Sequence, residues 1–250
     1  MGDLAGDLAC GLDPVIFAER CGLTLDAWQR DAVRSRSPRT IWNVSRQAGK
    51  STTAAVIALH RAVFFPGSLV LLVSPSLRQS SELFRVVSRL YGWLGEPVSA
   101  DAQTLLRLEL RNGSRVLSLP ASESTVRGYA GVDLLVFDEA SRAPDSLYLA
   151  MRPMLATSQG RLLLLSTPFG KRGFFSDVWH DGGPVWQRVR VAAQECPRIS
   201  PAFLAEEREQ IGQWWFSQEY ECEFVDADSQ AFRTEDVQAA QGEFVDTWQL

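Results

Sequence analysis

Apolar residues along this chain fall into two rhythms. The runs 69–73, 134–137 and 162–165 are apolar at every position and stop on polar or turn residues. Unbroken runs of this length read as strands covered on both faces, the habit of parallel sheets. Residues 40–44 read as a further short strand, and 186–191 as a last one. Between them, 12–37, 51–65, 77–94 and 145–156 read as helices, with Trp28 on one face of the first and Pro66-Gly67 ending the second. Residues 105–110 and 115–119 flank Asn112-Gly113, a hairpin signal. Strands alternating with helices predict an α/β domain, a mostly parallel sheet with helices on both faces.

After Pro197 the character changes. Residues 201–222 are charged and aromatic with a helical period, and contain Trp214-Trp215. The expected division is a core over 1–196 and a small helical lid or linker subdomain over 197–250. Stacking of the two tryptophans on bases competes with packing between subdomains, and packing is the expected role.

Composition narrows the function. The chain has 250 residues, 46% of them hydrophobic, enough for one sizeable core. Its net charge of −5 excludes a bulk electrostatic attraction to nucleic acid, so any such contact needs a local patch. Arg85, Arg89, Arg107, Arg111 and Arg115 are candidates for one. Lys50 and Lys171 are the only lysines in an arginine-rich chain. The four cysteines, Cys10, Cys21, Cys196 and Cys222, show no metal-ligand spacing and are expected as buried thiols. Asp3 and Asp7 interrupt any apolar leader, and no apolar run reaches about 18 residues. A soluble, cytosolic protein is expected.

The chemistry sits at strand ends. Ser45-Arg46-Gln47-Ala48-Gly49-Lys50-Ser51 lies between a strand and a helix, the setting of a phosphate loop. There the backbone N–H groups and the helix N-terminus face phosphates, Lys50 reaches the β/γ-phosphates of ATP, and Ser51 ligates Mg²⁺. Val44 stands where the first glycine of the usual motif belongs. The strand 134–137 delivers Asp138-Glu139 at its C-terminal end, where open α/β sheets bind ligands. Asp138 suits the metal and Glu139 suits the polarisation of an attacking water. Ser166-Thr167-Pro168 ends the four-leucine strand and is a candidate for sensing the γ-phosphate. Gln29, beside Trp28, is a candidate reader of adenine. Arg46, Arg127 and Arg142 are candidates for the guanidinium that meets transition-state charge.

The loop 45–51, with an arginine in place of a glycine, resembles that of the large terminase subunit of tailed bacteriophages. Leu25-Asp26-Ala27-Trp28-Gln29 resembles the family's adenine motif. Arg127-Gly128 ahead of residues 135–140 resembles its arginine and Walker B block. Ser166-Thr167-Pro168 resembles its coupling motif, and 216–224 the segment that closes its ATPase region. The likeness covers about residues 23–232. It implies a P-loop NTPase of the ASCE/RecA-like kind that hydrolyses ATP with Mg²⁺ to drive double-stranded DNA into a procapsid. Position by position, residues 45–52, Thr52 included, hold nucleotide; Ser51 and Asp138 hold the metal; Glu139 is the base. Arg46 acts in cis, and Arg127 in trans on a neighbour's ATP, with Arg142 the alternative finger. Implied partners are DNA, the portal protein, the small terminase subunit and further copies in a ring, with no membrane. The implied location is the host cytoplasm, transiently docked on the procapsid. The family's nuclease domain is not expected here, since Asp226, Asp228, Asp236 and Asp246 are too few for its acidic cluster.

Two other readings compete. A superfamily 2-type helicase needs a second RecA-like domain, which the residues after Pro197 are too few to form. A non-hydrolysing nucleotide-binding assembly module needs a missing base, and Glu139 is present.

Overall fold

In a computed structural model, residues 4–121 and 128–226 are described. They form an eight-stranded sheet in the order β3-β4-β5-β2-β6-β7-β1-β8. The strands are β1 (Arg39–Val44), β2 (Leu69–Ser74), β3 (Ala100–Gln103), β4 (Arg107–Leu110), β5 (Arg115–Pro120), β6 (Leu134–Asp138), β7 (Arg161–Ser166) and β8 (Trp186–Val191). β5, β2, β6, β7, β1 and β8 run parallel. β4 turns back antiparallel to β5, and β3 antiparallel to β4. All six parallel strands therefore end on one edge of the sheet.

Both faces are covered, which is why the strands read as unbroken apolar runs. Side chains alternate across the pleat. Trp42, Val70, Leu72, Leu134 and Val136 join one core cluster with the helices α2 (Pro14–Arg20), α3 (Ala27–Arg34), α4 (Lys50–Phe64) and α5 (Leu77–Trp93). Ile41, Leu71, Val73, Leu135 and Phe137 join the other, with α6 (Asp145–Met151) and α7 (Gly173–Asp181). There Tyr148 stacks on Phe174 with ring centroids 4.4 Å apart. An N-terminal helix α1 (Leu4–Leu12) precedes these, and α8 (Pro201–Glu219) follows.

Several boundaries differ from the sequence reading. The stretch 12–37 is two helices rather than one. Asp13 caps α2 by accepting from the Val15 N–H at 2.9 Å, and Gly22, at φ 77°, reverses the chain before Asp26 starts α3. Helix 145–156 tightens to a 3₁₀ turn over Arg152–Leu155, where Pro153 removes a backbone donor. The first strand of the hairpin begins at Arg107, leaving Leu105 exposed. Helix 201–222 ends at Glu219 and is bent at Gly212, whose φ of 77° no helix accommodates. β3 and α7 have no counterpart in the sequence reading. The first is a polar edge strand defined by its pairing with β4.

Candidate nucleotide site

β1 and β6 are separated in the sheet by β7 alone, so the loop after β1 and the carboxylates after β6 emerge side by side. Asp138 stands in register with Leu165, one residue before Ser166. Three sequence motifs thus converge on one edge through strand order, although 27 residues separate Ser166 from Glu139.

The phosphate loop closes on Gly49, which caps α4 from the left-handed region at φ 90°. That φ strains any residue with a side chain, and a Cβ at Gly49 would sit 2.6 Å from Gln29 Nε2 and force it to move, so glycine is favoured. The Gln29 amide is what crowds it. Nε2 donates to Thr53 Oγ1 at 2.9 Å and to the Gly49 carbonyl at 3.4 Å, while Oε1 accepts from the Asp26 N–H at 2.8 Å. Both ends of the Gln29 amide are therefore engaged within the chain, where Gln29 braces the loop. Trp28 packs edge-on against Trp42, at 5.7 Å between centroids. Arg198, which no motif singles out, donates to the Ala48 carbonyl at 3.1 Å and pairs with Asp26 at 2.7 Å.

Lys50 is buried at the start of α4, its Nζ 3.9 Å from Glu139 Oε1. Asp138 is buried at the end of β6. Burial first, and the neighbouring Glu139 second, push its carboxyl up to about 7, against the pull of Lys50, the Glu139 N–H and the Ser51 hydroxyl. A buried carboxylate so poorly compensated fits a divalent cation, whose charge would restore its ionised form. Ser51 and Asp138 would hold it.

Glu139 takes a left-handed backbone, φ 50° and ψ 40°, which turns its side chain off the strand. Ser166 Oγ donates to its Oε2 at 3.3 Å, and Ser141 Oγ lies 2.7 Å from Ser166 Oγ. A cavity of about 260 Å³ beside Ser51, Asp138 and Glu139 is bordered by Arg78, Gln79 and Glu82 of α5.

The largest departure from the sequence reading is Glu219, at the end of α8. Its carboxylate is buried and accepts from Arg46 Nε at 2.9 Å, Arg142 Nη2 at 2.9 Å and Thr167 Oγ1 at 3.2 Å. Its backbone carbonyl also accepts from the Arg46 N–H, at 3.3 Å. Arg142 further lies over the Phe169 ring, 4.5 Å from its centroid. Two candidate arginines and the coupling threonine thus share one acid from the far end of the chain. The one local signal is that acid's place in the segment 216–224. Beyond α8 the chain docks on the same edge, where Asn43 donates to the Cys222 carbonyl at 2.7 Å and Cys222 Sγ to the Val191 carbonyl at 3.2 Å. Trp214 donates to the Asp226 carbonyl at 2.7 Å and meets Trp215 edge-on. Arg127, Asp228, Asp236 and Asp246 lie outside the described residues.

A family model described as "Terminase large subunit, T4likevirus-type, N-terminal" matches residues 41–239. The chain is 29% identical to the terminase large subunit of Escherichia phage T5 over 203 residues, 76% of this chain and 45% of that protein. It spans about half the length of the curated relatives it matches. Its structure is similar to the large terminase ATPase domain of Thermus phage P74-26, with a TM-score of 0.74 and 26% identity, covering 84% of this chain and 97% of that one. A large terminase from a thermophilic bacteriophage, solved in complex with ADP, has the same fold at 10% identity, with a TM-score of 0.66 over 80% of this chain and 54% of that one. The family model covers most of the chain, so the chain belongs to the terminase large subunit family and represents its N-terminal, ATPase part.

Proposed function

We propose that this chain hydrolyses ATP to move double-stranded DNA into a viral procapsid, as the ATPase part of a terminase large subunit. The observation that carries the reading is the meeting of Lys50, Ser51, Asp138 and Glu139 at one sheet edge. The N–H groups of residues 45–52 and Lys50 hold the β- and γ-phosphates. Ser51 and Asp138 hold Mg²⁺, which when bound withdraws charge from the phosphate oxygens. Glu139 orients the attacking water and takes its proton, while Ser166 and Ser141 hold the carboxylate in place.

The arginines act after binding. Glu219 keeps Arg46 and Arg142 occupied, and phosphate oxygens compete for the same guanidinium forks. Release of Glu219 would pass the nucleotide state to α8 and to the 197–250 lid, with Ser166, Thr167 and Pro168 as the coupling strand tip. Arg127 is assigned to a neighbouring copy's ATP, within a ring on the portal protein in the host cytoplasm. The small terminase subunit delivers the DNA.

The test is phosphate release by Glu139→Ala protein. Turnover should fall by about 10³-fold with ATP binding retained. Unchanged turnover would remove Glu139 as the base. Mixing Glu139→Ala with Arg127→Ala protein should restore activity, because each supplies what the other lacks; no recovery would end the trans assignment.

A further inference from the structure

α4 leaves the phosphate loop and runs back along the sheet, so its last turn reaches the opposite edge, where β6 and β7 begin. A cavity of about 560 Å³ opens there, between that turn, the α1–α2 junction and the chain after α3. None of its lining residues belongs to the nucleotide site.

Four arginines face it: Arg34, Arg36, Arg61 and Arg161. Two are neutralised. Arg34 pairs with Asp13, whose carboxyl is held below the usual range chiefly by that contact, and Arg61 pairs with Asp133 at 2.7 Å. Arg36 and Arg161 meet no carboxylate among the described residues. There, the Arg161 side chain makes one hydrogen bond, from Nε to the Ser37 carbonyl at 3.3 Å. Its guanidinium is pushed below its ordinary value by burial and then by Arg61 and Arg36. Arg61 Nε is also buried without a partner among the described residues. His60 adds no charge, since burial lowers its imidazole while its Nε2 lies 3.0 Å from the Cys10 carbonyl. The rest of the wall holds Asp13, already taken by Arg34, and Ser35, beside apolar side chains that include Val33, Ile57, Phe65 and Leu134.

Arg161 is partly buried and carries a desolvation cost that a bound anion would offset, and Arg36, exposed beside it, offers a second guanidinium fork. The volume lies in the range of small-molecule sites, apolar walls with a few placed charges. We propose that this cavity binds a small organic anion, its phosphate or carboxylate gripped by Arg36 and Arg161 and its apolar body lying against Val33, Ile57, Phe65 and Leu134. A guanidinium fork fits either acid group.

Calorimetric titration of the full chain with 1-naphthyl phosphate tests this, with 1-naphthoate and 1-naphthol as further arms. One saturable site per chain is expected, with 1-naphthol weaker by at least about ten-fold, since the acid supplies the charge-assisted bonds. Tighter binding of the phosphate or of the carboxylate tells which acid the site prefers. Arg36→Gln and Arg161→Gln should each weaken binding by about ten-fold. Lys50→Ala, which disables the phosphate loop, should leave it unchanged. Absence of saturable binding, equal affinity for 1-naphthol, or loss in Lys50→Ala overturns the proposal. Arg36 is exposed and meets no carboxylate among the described residues, so Arg36→Gln should fold even if Arg161→Gln does not. Wild-type affinity in Arg36→Gln overturns the proposal alone.

Discussion

At the C-terminal edge of the sheet, Arg46 and Arg142 share Glu219, Arg198 holds Asp26, and Lys50 points at Glu139. At the N-terminal edge, Arg36 and Arg161 stand beside a cavity whose one lining carboxylate among the described residues, Asp13, is taken by Arg34. The same residue type thus serves in two ways within one fold. At the nucleotide edge Arg46, Arg142 and Arg198 already have internal acids, so a phosphate arriving at Arg46 or Arg142 must exchange partners, and that exchange can shift α8. At the far edge Arg34 and Arg61 are paired, but Arg36 and Arg161 meet no carboxylate among the described residues, and an anion there would simply be accommodated.

The sharpest way to break this contrast is at Gly49. Gly49→Ala places a Cβ 2.6 Å from Gln29 Nε2 at a φ of 90°, displacing the loop from its brace. ATP affinity should fall by about 100-fold, as expected when a positioned group moves by an ångström. The ATP-induced rise in melting temperature should vanish, while 1-naphthyl phosphate still binds. Retained ATP stabilisation would show that the Gln29 brace does not shape the loop.

Glu219→Gln removes the shared acid while keeping its shape. Breaking a buried pair costs about 3–5 kcal/mol. Because the Arg46 side chain is 60% exposed, solvent screening reduces this, and a loss of about 2 kcal/mol in urea unfolding is expected. The loss should shrink in high salt. A salt-independent loss would point to packing rather than charge.

Alkali probes the seal of the same edge. Burial pushes the Cys222 thiol up to about 12, whereas an unfolded thiol ionises near about 8.5. The folded state therefore holds the proton longer. Its contribution is complete below about pH 8.5 and lost as pH rises towards the folded value. The urea midpoint should drop between pH 8 and pH 10 by on the order of 1 kcal/mol, and less steeply in Cys222→Ser protein. Burial lifts Cys21 to about 11 in the same direction, so the slope will not vanish. The smallest effect belongs to Arg36→Gln, which should change stability by less than about 0.5 kcal/mol and leave ATP turnover unaltered. A larger loss would mean that Arg36 has a structural partner.

Much of this is legible without coordinates. The strands β2, β6 and β7 announce themselves because burial on both faces demands apolar residues at every position. Gly49-Lys50-Ser51 and Asp138-Glu139 announce themselves because phosphate and metal chemistry accept few substitutes. Less legible are features whose cause lies elsewhere in the chain. The break between α2 and α3 depends on a left-handed Gly22 that a helical period does not register. β3 is a strand only because β4 pairs with it. The contacts of the Gln29 amide with Asp26, Gly49 and Thr53, up to 24 residues away, leave no mark beside it in the sequence.

By itself the sequence determined the layered α/β architecture, the phosphate loop and the acidic pair, since each follows from local periodicity or from a motif spanning a few residues. Only the tertiary structure decided that Glu219 joins Arg46, Arg142 and Thr167, from 173, 77 and 52 residues away. It also decided that Arg36 and Arg161 share a cavity whose lining acid, Asp13, is taken by Arg34. Contacts at that separation depend on strand order and helix direction, and the global packing that sets both leaves no mark on neighbouring residues.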